Sequence, residues 1–372
     1  MLFRSTGITT DHENEDTGNI YISGGTLTTT TTANGTWDDT DKKVKSAACL
    51  NAEGDIFISG GTLNFTSTGA AGKGISGDGN LTVSGTASIT IVTTGQASVA
   101  SSTGVVSIVS NSSTLDRYDS DYKSSPKGIK IDGAIVIDGG KISVTTSGAG
   151  GEGIESKSTL TVNGGQITVN AFDDGINCTG DMTINGGYIF AKGAKNDAMD
   201  ANGNMYVKGG LIYAVGASSP EVALDANTEQ GKKLYITGGT IIAAGDLEGG
   251  AQISGGTCKY TTSWDGSSWY ALYNGGTLVA AFKTPAKSSS GSYWAPAAGP
   301  GGGGPGGGGS QKLVVYTSST PTLYSGITVS DGTDYFDGMA NIGGSVSGGS
   351  SVTLSNYTSS GGGPGGGGPG GW

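Results

Sequence analysis

Four phrases between residues 152 and 225 place acidic or amide side chains around one apolar residue at a matched phase. They are Glu152-Gly-Ile-Glu155, Asp173-Asp174-Gly-Ile-Asn177, Asn196-Asp197-Ala-Met-Asp200 and Glu221-Val-Ala-Leu-Asp225. Aligned on Ile154, Ile176, Met199 and Leu224, they put Glu155, Asn177, Asp200 and Asp225 in one column and Glu152, Asp174 and Asp197 in a second. Carboxylates stacked about 5 Å apart repel by roughly 3 kcal/mol at an effective dielectric near 20, so a cation between them is expected. Ca2+ takes carboxylate, amide and carbonyl oxygens, which makes Glu152, Glu155, Asp173, Asp174, Asn177, Asn196, Asp197, Asp200 and Asp225 its candidate ligands. A lone Asp-Gly is ordinarily a turn former that bonds its own backbone, and that reading stays open beside the ion. Asp38, Asp39 and Asp41 are a weaker cluster of the same kind.

Two other groups of residues bear on chemistry. Trp264, Trp269 and Tyr270 fall in one loop, followed by Tyr293-Trp294, and could stack on sugar rings or cover the end of a core. Lys157, Lys192, Lys195 and Lys208 are the bases near the acidic columns. A lyase would need one of them to abstract a proton beside the metal, whereas outward lysines ordinarily guard sheet edges.

The elements that carry these residues repeat. A phrase of apolar residues around a glycine doublet recurs with first glycines at Gly24, Gly60, Gly85, Gly139, Gly164, Gly186, Gly209, Gly238, Gly255 and Gly275, Thr86 replacing one second glycine. Apolar residues alternate with Thr, Ser, Asn, Lys or Tyr on both sides, the period of a strand with one buried face. The doublet supplies a bend. A third strand is expected around Leu50, Ile75, Ile129, Ile154, Ile176 and Met199, mostly preceded by a small residue. The expected fold is therefore all-β: a right-handed parallel β-helix, a solenoid of about ten or more rungs, with a small C-terminal β appendage and Gly/Pro-rich segments. The 54-residue interval between Gly85 and Gly139 leaves room for a degenerate copy. The expected division is a β-helix over 1–284, a Ser/Ala/Gly-Pro-rich linker over 285–311, a β cap over 312–357 and a Gly/Pro-rich tail over 358–372.

Composition narrows the partners. The net charge is −11, with Arg4 and Arg117 the two arginines and His12 the one histidine, which argues against nucleic acid and anionic membranes. No apolar run reaches membrane-spanning length, so no membrane insertion is expected. Cys49, Cys178 and Cys258 are odd in number and scattered, as small buried hydrophobes would be. The start of the chain reads as a mature or truncated form lacking a leader and an N-terminal cap.

The phrases Ser125-Pro-Lys-Gly-Ile-Lys-Ile-Asp-Gly133, Glu152-Gly-Ile-Glu-Ser156, Asp173-Asp-Gly-Ile-Asn-Cys-Thr-Gly-Asp-Met-Thr-Ile-Asn-Gly-Gly187 and Asn196-Asp-Ala-Met-Asp-Ala-Asn-Gly203 carry a resemblance. Over about residues 20–284 the chain resembles a family of bacterial surface proteins, the carbohydrate-binding domain-containing proteins with a parallel β-helix. The resemblance implies a secreted, calcium-binding solenoid that recognises acidic plant polysaccharide such as polygalacturonate without established catalysis. Asp173, Asp174, Asp197 and Asp200 are the acidic positions that match. The abrupt start, the Ser/Thr-rich loop at 93–124 and the Gly/Pro insertions depart from the family pattern. The expected function is non-catalytic, calcium-dependent binding of acidic polysaccharide outside the cell, with Trp264, Trp269 and Tyr270 as sugar contacts. The alternatives are a filament or surface-layer subunit associating end to end, and a calcium-dependent polysaccharide lyase.

Overall fold

The computed structural model describes residues 7–10, 18–217, 219–287 and 311–359. Strands built from the repeat pair with their counterparts one repeat away, and like residues lie on like. In an eight-stranded sheet, Lys73–Gly77, Lys127–Ile131, Glu152–Ser156, Ile176–Cys178, Met199–Ala201 and Leu224–Ala226 run parallel in sequence order. Ile75, Ile129, Ile154, Ile176, Met199 and Leu224 form one apolar column along it. Gly128 precedes Ile129 because a Cβ there would run into Val144 of the facing sheet.

That facing sheet holds two strands per repeat, such as Leu160–Val162 and Gln166–Ala171, again paired in parallel with their counterparts. The glycine doublet joins the two. Its second glycine is left-handed (φ +88° at Gly165, +90° at Gly187), and a Cβ there would press on the doublet of the preceding row, so only glycine fits. Ile, Val, Leu and Met from both sheets meet in one continuous core.

The solenoid expected for the whole chain is corrected by the rest of the pairing. The described residues form five sheets, parallel and antiparallel together, with the two large ones packed face to face as layers around the core. The parallel ladder stops at Thr240–Ala244 and Gln252–Ile253. Leu313–Thr317 then pairs antiparallel with Thr240–Ala244 and with Thr257–Thr261. The Gly275 copy of the repeat is a hairpin turn between Trp269–Asn274 and Thr277–Lys283. These two strands belong to a six-stranded antiparallel sheet with Pro321–Ser330, Thr333–Tyr335, Ala340–Ile342 and Ser345–Val352. Residues 313–356 are thus woven into two sheets and do not stand as a small appendage. The filament expectation gains no support at this end, where Leu313–Thr317 occupies the edge at which the parallel ladder stops.

The interval of 54 residues hides no further copy of the repeat. Ser88–Thr93 pairs directly with Lys141–Thr146, and Leu81–Val83 with Ile135–Ile137. The intervening chain leaves the ladder as a three-stranded antiparallel sheet of Ala97–Ala100, Val106–Val109 and Lys123–Ser124.

The outer face of the two-strand sheet changes character along its length. Thr90, Ser143 and Thr168 are succeeded in register by Phe190, Tyr213 and Ile242. The six-stranded sheet covers these apolar residues with Tyr270, Leu272, Phe282 and Leu323, making a second core. Leu211–Val215 is buried on both faces, which its unbroken apolar run Leu-Ile-Tyr-Ala-Val reflects. The Gly/Pro-rich stretches and Tyr293-Trp294 lie outside the described residues, except 285–287, 311, 358 and 359. Among the described residues no helix is long and apolar enough to cross a membrane.

Candidate functional site

The eight-stranded sheet turns one column of side chains away from the core at each strand. Lys130, Glu155, Asn177, Asp200 and Asp225 are in register along it. Glu248 extends the column: Leu224 and Leu247 form a parallel bridge, and the Glu248 N–H donates to the Leu224 carbonyl (2.9 Å). A second column begins with Lys127 beside Glu152 and continues through Asp174 and Asp197. Sequence reasoning missed Glu248 because its repeat is shorter, with Leu247 only 8 residues before Gly255 where Met199 stands 10 before Gly209.

Lysines neutralise the first part of these columns. Lys127 Nζ lies 2.6 Å from Glu152 and 2.9 Å from Glu155, and Lys157 Nζ lies 2.6 Å from Glu155. Burial opposes the charge on Glu155, yet Lys127 and then Lys157 hold its carboxyl down at about 2. The expected ligands Glu152 and Glu155 are therefore ion-pair partners in this structure. Asn177 donates from Nδ2 to Glu152 Oε2 (2.7 Å) and to Asp174 (3.4 Å).

Asp174 and Asp197 each cap the following repeat. The Asp197 N–H donates to Asp174 Oδ1 (3.1 Å), and the Val222 N–H donates to Asp197 Oδ1 (2.5 Å). One oxygen of each is thus taken by a backbone N–H of the next repeat, 23 and 25 residues away, and not by the aspartate's own turn. Asp173 is half-buried on the loop beside them, and burial and the Glu152 charge push it up to about 7. Asn196 precedes Asp197, its backbone carbonyl accepting from Ala217 (3.0 Å).

Past this point the carboxylates converge. Asp197, Asp200 and Asp225 each bring a carboxylate oxygen within 4.8 Å of the others, Asp197 buried and the other two half-buried. Burial, then a hydrogen bond with Glu248 and the neighbouring aspartates, push Asp225 up to about 10. Burial and the Glu152 charge raise Asp200 to about 6, although a hydrogen bond from Asp225 opposes this. Three such oxygens with no sulfur or imidazole ligand among them suit a hard dication such as Ca2+. The residues present fit that ion.

The weaker cluster resolves differently. Asp38 Oδ1 accepts from the N–H groups of Thr40 (2.9 Å) and Asp41 (3.2 Å), and Lys45 pairs with Asp38 (3.0 Å) and Asp41. These bonds hold the Asp38 carboxyl well below the usual carboxylate range and close the hairpin of Thr36–Asp38 and Lys43–Lys45.

The three expected sugar contacts are separated. Trp264 (5% exposed) and Tyr270 (1%) sit in the second core, the Trp264 indole N–H donating to the Gln311 carbonyl (3.0 Å). Strand alternation turns Trp269 to the opposite face of the sheet, where it is half-buried.

Residues 20–150 and 145–198 match a family model described as "Carbohydrate-binding domain-containing protein". No curated protein and no solved structure matches the chain. The matched part contains Lys127, Glu152, Glu155, Asp174 and Asp197, and ends before Asp200, Asp225 and Glu248. Over residues 20–198 the chain is therefore similar to a carbohydrate-binding family, and carbohydrate binding is the function this similarity supports.

Proposed function

We propose that the chain binds an acidic polysaccharide of the polygalacturonate kind at the cell surface, without cleaving it, through Ca2+. Asp197, Asp200 and Asp225 are the ligands, and Glu248 supports Asp225. The supporting observation is the convergence of three carboxylates from the two columns, within 4.8 Å of one another. When bound, the ion bridges protein carboxylates and uronate carboxylates, each a hard oxygen donor. The chain's own residues hold that arrangement. The Val222 N–H fixes Asp197, and Lys127 neutralises the two glutamates that would otherwise add to the repulsion. Lys157, the base nearest the columns in sequence, is tied to Glu155, which supports binding over elimination.

Co-sedimentation with polygalacturonate in calcium, then in chelator, tests the reading. Binding in calcium alone, lost in Asp200→Ala with Asp225→Ala, is the expected result. Equal binding in chelator would overturn the metal bridge, and growing ultraviolet absorbance of unsaturated product would overturn the non-catalytic reading.

A further inference from the structure

Residues 79–115 carry no charged side chain and no proline, in a molecule of net charge −11. The three-stranded antiparallel sheet takes two of its strands from that stretch, and Val106–Val109 is the outer one. Its inner side pairs with Ala97–Ala100, while no described strand pairs with its outer side. The strand is open to solvent, with Val105 64% and Ile108 57% exposed and Ser107 exposed between them. Its backbone groups have a fixed phase. The Ser101 N–H donates to the Val105 carbonyl (2.9 Å), so Val105, Ser107 and Val109 aim their backbone groups at Ala97–Ala100. Val106 and Ile108 therefore aim their N–H and C=O outward.

Sheet edges are ordinarily guarded by a charge, a proline or a bulge. This edge has none of the three, because its register runs unbroken from Ala97 opposite Val109 to Ala100 opposite Val106. The two free edges of the six-stranded sheet are guarded. Ser345–Val352 is interrupted by left-handed Gly348 and Gly349, and Thr333–Tyr335 carries Asp334. The unguarded segment is also self-complementary. Val105-Val-Ser-Ile-Val109 reads as two apolar residues, a serine and two apolar residues from either end. Two molecules with a net charge of −11 repel over most of their surfaces, and least where an uncharged stretch meets an uncharged stretch.

We propose that this edge is a self-association site, at which two copies pair their Val106–Val109 strands antiparallel about a two-fold axis through Ser107. That register uses the outward groups. Val106 of one copy and Ile108 of the other exchange both of their N–H···O=C bonds, and the symmetry repeats the exchange. Val105 falls opposite Val109, so apolar pairs flank a central serine pair. The two three-stranded sheets become one continuous sheet across the dimer. The contact is isologous and closes after two copies, so it builds no filament. A contact over so few residues is smaller than a standard stable interface, which makes the dimer weak and dependent on concentration.

Sedimentation equilibrium of the full chain in chelator tests the proposal. Between about 10 μM and about 1 mM the mean mass should rise from that of one chain toward that of two. Val106→Pro removes an outward N–H without touching the ladder to Ala97–Ala100, and Ile108→Lys supplies the missing guard charge. Each is expected to weaken the dimer at least about tenfold. Ser107→Cys reads the register. It meets its own counterpart in a non-hydrogen-bonded pair, the closest approach across an antiparallel ladder, so mild oxidation should cross-link two chains. Val105→Cys, opposite Val109, should not cross-link. Cys49, Cys178 and Cys258 are buried and do not compete. The cross-link serves if Val106→Pro lowers the melting temperature. A chain monomeric at about 1 mM would overturn the proposal, as it would if a strand of another protein were the occupant. A dimer left intact by both Val106→Pro and Ile108→Lys, or equal cross-linking of Ser107→Cys and Val105→Cys, would overturn it too.

Discussion

Glu155 is 4% exposed, and Lys127, one repeat before it, holds its carboxylate at 2.9 Å. Lys127 stands in the inner column and Glu155 in the outer one, so this pair ties the two columns together. It also marks where the columns change sign, with Lys73, Lys127 and Lys130 before it and the acidic residues after it.

Replacing Lys127 by Met should therefore be costly. Glu155 keeps Lys157, but Glu152 and Glu155 are then brought together without the charge between them. Breaking such a buried pair costs about 3–5 kcal/mol. Urea denaturation should show the loss, and Lys127→Met with Glu155→Gln should recover much of it. A single variant as stable as the parent would refute the coupling.

The pH response should have two opposite parts. Glu155 titrates at about 2 in the folded chain, below its ordinary value, so its contribution is complete above pH 4.5 and is lost as pH falls through about 2. Asp173, Asp200 and Asp225 are raised to about 7, 6 and 10. Between the ordinary value of 3.8 and those values the folded state holds more protons than the unfolded, so stability falls as pH rises. In chelator the melting temperature should drop from pH 5 to pH 8, and calcium should cancel most of that drop. A flat profile in chelator would contradict the clustered carboxylates.

Neutralising the cluster should separate stability from metal response. Asp200→Asn with Asp225→Asn removes repulsion, so the metal-free melting temperature should rise, by about 1 °C for each kcal/mol relieved in a chain of this length. The further rise on adding calcium should vanish. Calorimetry in both conditions reads the two effects, and an unaltered calcium increment would exclude these residues as ligands.

The change of face along the two-strand sheet predicts a contrast between matched positions. Tyr213 is wholly buried under the antiparallel sheet, and its hydroxyl donates to the Lys283 carbonyl (2.8 Å). Tyr213→Ala should cost about 3–5 kcal/mol. Thr90 lies in the same column and is exposed, so Thr90→Ala should fall within about 0.5 kcal/mol of the parent. Comparable losses at both positions would mean that the antiparallel sheet does not clamp that face.

What the sequence made legible was local. Alternation around the glycine doublets located the strands, and alignment on Ile154, Ile176, Met199 and Leu224 gave the register that pairs Glu155, Asn177, Asp200 and Asp225. The sheet architecture was not legible, because a glycine doublet looks the same as a bend between parallel strands at Gly164 and as a hairpin turn at Gly275. Only the partner across space decides, and for the Gly275 copy that partner lies at 321–325. The site was half legible for a related reason. Lys127 stands 25 residues before Glu152, so its neutralising role follows from the pairing and not from any nearby spacing. Trp269 and Tyr270 are adjacent in the chain and opposite in the sheet, which made one loop look like one platform.

The excursion between Ser88–Thr93 and Lys127–Ile131 bears on how such a chain can change. Joining the ends of a longer loop costs only slowly more with length, and the ladder on either side closes as though the extra residues were missing. Cargo spliced in at that detour, for example near Ser101 and Thr103, would ride outside the frame and leave the spacing of the carboxylates intact. The same tolerance means that the chain can lengthen without its scaffold growing.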